Sequence, residues 1–202
     1  MRHAPLHRTE IVDAAMGLLD DEGLGALTMR RLGSELGVEG MALYRHFPNK
    51  DALVDAVAAH LLDLVELPDP ETTPWRQGVH DVVNSYRDAG LAHPIAFRLS
   101  ATRRAFDARL FDIGQCLLRL LERGGIAGTA GVRTYHGLMG LVQGATMIEL
   151  TLVDGPPEFD GPMPTAQTHP LVAANLDELM ACMGGENLGD LIDQVIDGAR
   201  IN

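Results

Sequence analysis

Apolar residues recur at helical spacing from one end of this sequence to the other, and in no stretch do they alternate as a half-buried strand would require. Ile11, Ala14, Ala15, Leu18 and Leu19 open the series, with Thr9 as the expected N-cap and Gly23 as the stop. Thr28 caps a short second helix carrying Leu32 and Leu36, which Gly37 ends, and a third short helix is expected from about Glu39 to Phe47. Asn49 then caps a longer helix with a stripe of Leu53, Val57, Leu61 and Leu64, closed by the prolines at 68 and 70. A domain boundary is expected there, dividing residues 1–66 from residues 67–202.

In the second part, Thr73 is read as an N-cap with Pro74 at the first helical position, before Trp75, Val79, Val82, Val83 and Tyr86 on one face. His93-Pro94 restarts a short helix. Leu110, Ile113, Leu117, Leu120 and Leu121 form the face of a longer one that stops at Gly124-Gly125. A long helix from about Thr129 to Val153 follows. Pro156, Pro157, Pro162, Pro164 and Pro170 mark the segment 154–170 as a loop without secondary structure of its own. Two helices close the chain, one carrying Leu176, Leu179, Met180 and Met183, the other Leu188, Leu191, Ile192, Val195, Ile196 and Ala199 after Asn187 as cap. The expected fold class is all-α.

Composition narrows the functions open to such a chain. The 202 residues are 46% hydrophobic, enough for a sizeable core, which excludes a disordered tail protein. The formal charge of −12 repels bulk nucleic acid and membrane surfaces, so any contact with DNA must be local. Cys116 and Cys182 are too few for a disulfide framework and are expected as buried thiols in a reducing cytoplasm. The basic start is followed by no apolar secretion segment, and the most apolar run, Arg133 to Glu149, falls short of the ~20 residues a membrane helix needs. A cytoplasmic protein with no membrane partner is expected.

The local basic region is Leu27 to Lys50, where Arg30, Arg31, Arg45 and Lys50 outnumber Glu35 and Glu39. Two short helices joined by a turn at Gly37 have helix-turn-helix form. If Leu43 and Phe47 pack the third helix inward, its opposite face is free for DNA. That face offers Tyr44, Arg45 and His46, with Gly40, Met41 and Ala42 at its start, where small side chains admit close approach to phosphates and base edges. Thr28 and Arg30 flank it from the preceding helix, and Lys50, the only lysine of the chain, suits a phosphate contact. Solvated surface charges are the alternative reading.

With these residues in place, the stretch 27–53 resembles the signature of the TetR family of bacterial transcriptional regulators. Gly37-Val38, Leu43-Tyr44, His46-Phe47, Asn49-Lys50 and Leu53 carry the resemblance, which extends over residues 8–66. It implies an all-α protein with an N-terminal three-helix helix-turn-helix DNA-binding domain and a linking helix, residues 1–66. Residues 67–202 would be a larger helical effector-binding and dimerisation domain. The resemblance further implies major-groove reading by the third helix, with Tyr44 and Lys50 on phosphates. Arg45, Met41 and Gly40 occupy variable positions, so the operator sequence is not transferred. Pro74-Trp75, Tyr86-Arg87 and the long loop before the final helices are similar to the tetracycline-repressor type of C-terminal domain. That similarity implies a homodimer through a four-helix bundle, a palindromic double-stranded operator and a small-molecule effector pocket in each subunit. The drug-binding and magnesium-binding residues of that type have no clear counterpart here, and no metal or cofactor is expected.

For the effector, an apolar pocket with a few polar anchors is expected. Trp75, Tyr86, Phe97, Phe106, Phe111, Met139 and Met147 are candidate lining residues, and His136, Gln143 and Glu149, along one long helix, are candidate anchors on one side of it. Each is also an ordinary core or surface residue in the alternative reading. Gly137, Gly140 and Gly144 weaken that helix unless close packing or a ligand offsets them. Arg98, Arg103, Arg104 and Arg109 form a cluster that would suit an anionic ligand or, more simply, a solvated face paired with Asp107 and Asp112. Phosphate loops, nucleophile elbows and metal motifs are absent from the sequence. The rivals to a regulator are a helical small-molecule-binding protein without operator binding and a small all-α enzyme using His136 and Glu149.

Overall fold

The computed structural model describes residues 6–103, 108–152, 163–183 and 185–200. Among them the chain is all-α, in the order α1 Arg8–Glu22, α2 Met29–Glu35, α3 Gly40–Leu43, α4 Lys50–Asp63, α5 Trp75–Ala92, α6 Pro94–Thr102, α7 Ala108–Arg123, α8 Gly128–Glu149, α9 Pro170–Ala174, α10 Leu176–Met183 and α11 Leu188–Arg200. Two compact units result. The first comprises residues 1–66 and 88–113, the second residues 67–87 and 114–202.

In the first unit α1, α4 and α6 form the frame. Ile11, Ala15, Leu18 and Leu19 of α1 are buried, as are Leu53, Val57 and Leu61 of α4 and Ala96 and Phe97 of α6. Gly90 lets α5 pass close to α6, because a Cβ there would lie 2.6 Å from the ring of Phe97. Two caps follow the sequence reading: Thr28 Oγ1 accepts the Arg31 N–H at 3.0 Å, and Asn49 Oδ1 accepts that of Ala52 at 2.8 Å. The cap of α1 does not. The helix begins one residue before Thr9, and the His7 N–H donates to the Glu10 carboxylate at 2.8 Å, since a glutamate at the third helical position reaches back over the first turn. α3 is also shorter than the expected 39–47, ending at Leu43 and turning through 44–46. Leu64, placed on the buried stripe, lies just past the last residue of α4 and is 38% exposed.

The second unit is built on α8 and α11. Leu138, Val142 and Thr146 of α8 and Leu188, Ile192 and Ile196 of α11 are buried. A Cβ at Gly137 would stand 3.5 Å from Val195, so that glycine serves the contact between the two helices. At Gly78 and Gly124 a Cβ would come within 2.7 Å of Leu120 and 2.6 Å of the Trp75 ring, so both places require the small residue. Helix α5 starts at Trp75, and the Pro74 carbonyl accepts from Gly78, which puts the proline just outside the first helical position. α8 stops at Glu149 rather than 153. Residue 153 and residues 154–162 of the expected loop lie outside the described residues. Beyond them α9 adds a helix absent from the sequence reading, starting at Pro170, the last residue of the expected loop. Cys116 is buried as expected, but Cys182 is exposed, because α10 turns that face outward.

A charged network ties α5 to α11: Arg76 reaches Asp193 and Asp197, each at 2.6 Å, and His80 shares Asp193 at 3.1 Å. His80, followed by Arg76, holds the Asp193 carboxyl below its ordinary range. A carboxyl lowered in the folded state stabilises it above the unfolded value, and that contribution is lost as pH falls through the folded one. Asp193→Asn is therefore expected to lower the melting temperature at pH 7 and to have progressively less effect as pH falls below the ordinary carboxylate range. A melting curve series against pH checks this, and a deficit that persisted unchanged into acid would exclude the charge as its cause.

Candidate nucleic-acid interface

The helix-turn-helix is set by backbone contact between α2 and α3. A Cβ on Gly33 would meet Gly40 N and Val38 O, each at 2.8 Å, and one on Gly40 would meet Met29 O at 3.0 Å. Gly37, with φ of +67°, makes the turn that L side chains disfavour. The missing side chain of Gly40, assigned from sequence to the approach of DNA, is thus needed for the packing of α3 on α2. Leu43 and Phe47 are fully buried as expected, fixing the inward side of the third helix.

On the outward side Met41 is 72% exposed and Tyr44 45% exposed. Arg30 and Arg45 are exposed as well, Ala42 and His46 are half-buried, and Thr28 is exposed. The Lys50 amine donates to the Leu24 carbonyl at 3.2 Å, and among the described residues this neutral partner leaves its charge uncompensated and two of its three protons free. Arg31 is differently used: it spans Glu22 at 2.6 Å and Glu35 at 2.7 Å, which hold its guanidinium above the usual arginine range. Arg103 pairs with Asp55 and Asp51, and Arg109 donates to the carbonyls of Leu62 and Val65. Among the described residues of this unit, Arg30 and Arg45 are the arginines with no partner. Desolvating them on an anion breaks no internal ion pair.

The arginine cluster, read as open to an anionic ligand or to a solvated face paired with Asp107 and Asp112, is largely occupied, and Arg109 does lie 3.9 Å from Asp112. Arg103 and Arg109 brace α4 and its end, and Arg104 lies outside the described residues.

The effector candidates do not form one group. Phe97 is buried in the first unit, Phe111 is 67% exposed, and Phe106 lies outside the described residues. Trp75 packs on Gly124, with the Arg76 and Arg200 guanidiniums 5.0 and 5.3 Å from its ring centroid, and Tyr86 is buried in the same unit. Met139, Gln143 and Met147 are half-buried along α8. His136 is exposed, edge-on to Tyr135 at 5.1 Å, while Glu149 is engaged by Arg87, whose Nε donates at 2.8 Å. The expectation that His136, Gln143 and Glu149 share one side of the helix fails on its own arithmetic. Thirteen residues at ~100° each place Glu149 about 140° round the helix from His136 and ~20 Å along it. The same separation removes the acid–base pair of the enzyme reading.

Sequence reasoning missed Arg8 and the pairing of Arg87 with Glu149. Arg8 donates to the His46 carbonyl, and Arg87 pairs with a residue 62 positions away, so neither has a local signal.

A buried helix-turn-helix with an exposed, unpaired basic edge defines a DNA-binding regulator. The family described as "Bacterial regulatory proteins, tetR family" matches residues 11–57. Over 175 residues the chain is 30% identical to the tetracycline repressor protein class A from transposon 1721 of Escherichia coli, covering 85% of this chain and 80% of that one. The chain spans 58% of the length of the class C tetracycline repressor of Escherichia coli and 46% of that of class E. Among solved structures, ActR of Streptomyces coelicolor in complex with actinorhodin aligns with a TM-score of 0.80 at 27% identity, covering 98% of this chain and 96% of ActR. BioQ with its double-stranded DNA operator aligns with a TM-score of 0.61 at 28% identity, covering 89% of this chain and 99% of BioQ. The chain belongs to the TetR family of bacterial regulators, which are transcription factors rather than enzymes. Among the described residues no helix is long and apolar enough to cross a membrane.

Proposed function

We propose that the protein is a homodimeric, ligand-responsive transcriptional repressor of the cytoplasm that binds a palindromic operator. Residues 1–66 carry the DNA-binding domain and its linking helix, and residues 67–202 bind the effector and the second subunit. The observation that carries the reading is the pair of unpartnered arginines, Arg30 and Arg45, on either side of exposed α3 in a protein of charge −12. Tyr44 and Lys50 contact phosphates, and Met41, Ala42 and Arg45 face base edges. The operator in the BioQ structure and the actinorhodin in ActR support the two binding partners by kinship. A Cβ at Gly140 or Gly144 of α8 would meet no other element within 4 Å among the described residues, which supports that face as the subunit contact. Trp75, Tyr86, Met139, Gln143, Met147 and Glu149 remain the proposed effector residues of the second unit. An effector that binds the DNA-incompetent state better weakens operator affinity by the same factor that DNA weakens effector binding.

The test is a footprint on DNA flanking the gene, repeated across salt concentrations. Arg45→Ala is expected to cost about 1–3 kcal/mol and to relax base preference, whereas Lys50→Ala weakens all sequences and lowers the salt slope by about 1. A folded dimer that protected no DNA at low salt would overturn the reading in favour of a ligand-binding protein without an operator.

A further inference from the structure

We propose that Arg8, the first residue of α1, is a positioning residue for the DNA-reading end of α3, an inference that rests on the regulator reading above. α3 makes barely one turn. After Leu43 the chain is held by the His46 and Phe47 amides, both donating to the Leu43 carbonyl, at 2.9 and 3.0 Å. The carbonyl of His46 itself receives no main-chain donor among the described residues. Its donor is the side chain of Arg8, whose guanidinium reaches it at 2.7 Å. The centre of the same guanidinium stands 4.0 Å from the centroid of the Phe47 ring, whose side chain is fully buried.

One planar cation therefore secures two consecutive residues, the first by a charge-assisted hydrogen bond and the second by stacking. Those residues follow directly on Tyr44 and Arg45, and a helix this short has too few bonds of its own to fix where its last turn points. Lysine can reach the carbonyl but has no flat face to lay on the ring, so it reproduces half of the contact. Arg8 acts through the backbone of 46–47. Its part in DNA binding is to hold the orientation of neighbours, without neutralising a phosphate itself.

The experiment uses the full chain, with Arg8→Ala and Arg8→Lys, and a duplex selected from a random pool by the wild-type protein. Amide exchange of residues 44–47 is followed in the free protein, and affinity is measured across salt for the selected duplex and a scrambled one. For Arg8→Ala, exchange at 44–47 is expected to rise about tenfold and affinity for the selected duplex to fall about tenfold. Its salt slope and its affinity for the scrambled duplex are expected to stay as in the wild type. Arg8→Lys falls between the two, and serves as the test should the alanine variant not fold.

Unchanged exchange would overturn the clamp. A salt slope lowered by about 1 would overturn positioning in favour of a direct phosphate contact. Wild-type protein that selected no duplex would overturn the regulator reading itself, and the exchange result would then judge the contact of Arg8 with 46–47 by itself.

Discussion

Gly33→Ala is expected to destabilise the helix-turn-helix by about 3 kcal/mol and to abolish operator protection, though the substitution adds one methyl group to a helix. In most helices the exchange stabilises, because glycine costs about 0.5–1 kcal/mol relative to alanine. At Gly33 the new Cβ would stand 2.8 Å from Gly40 N and from Val38 O, and 3.0 Å from Gly40 Cα. All three are main-chain atoms and cannot rotate away as a side-chain end would. Relief requires α3 to move off α2, which stretches the Val38 N–H bond to the Gly33 carbonyl, now 2.8 Å, and displaces Tyr44 and Arg45 with it. Gly17 of α1 is the internal control: nothing lies within 4 Å of a Cβ there, so Gly17→Ala should raise stability by about 0.5–1 kcal/mol. Urea melts of both variants with a footprint of each decide the matter. A Gly33→Ala protein as stable as the wild type would exclude the main-chain apposition of α2 and α3 as the constraint on this position.

The sequence was legible where a signal and its effect lie within a few residues. Thr28 and Asn49 are caps because their side chains reach amides three residues on, and the same short range makes Gly37 a turn. The buried stripes of α1, α4 and α7 follow from period alone, except just past the end of α4, where Leu64 escapes. What escaped is non-local. The end of α3 depends on Arg8, 38 residues earlier, and the close approach that uses Gly40 involves a main-chain neighbour that no composition rule identifies. Phe97 and Phe111, alike in sequence as aromatic candidates for a pocket, differ completely, one buried against Gly90 and the other open to solvent. The arginines of the Arg98 to Arg109 segment read as a patch, yet two of them find α4 acids and carbonyls some 50 residues away. Charge partners of long side chains are set by the fold, and a sequence shows only their supply.

Glu149→Gln carries the second large effect, an expected loss of about 3 kcal/mol. Glu149 and Arg87 are only 16% and 23% exposed, and the guanidinium grips both carboxylate oxygens. On the far side the carboxylate rests against Gly185, where φ is +76° and a Cβ would lie 2.8 Å from Oε2. With little water able to replace either partner, glutamine keeps the shape but leaves the arginine charge short of its bidentate counter-ion. Replacing both residues, Arg87→Met with Glu149→Met, is expected to return stability to within about 1 kcal/mol of the wild type, since neither charge is then stranded. This cycle bears on the effector as well. An effector that used Glu149 as its polar anchor would have to displace Arg87, so its affinity would include the cost of breaking the pair. Such an effector would lose its thermal stabilisation of the protein in both the single and the double variant, whereas one held elsewhere would regain it in the double variant as the fold recovers. A single variant that melted with the wild type would reduce the pair to a solvated surface contact, with Glu149 free for a ligand at no such cost.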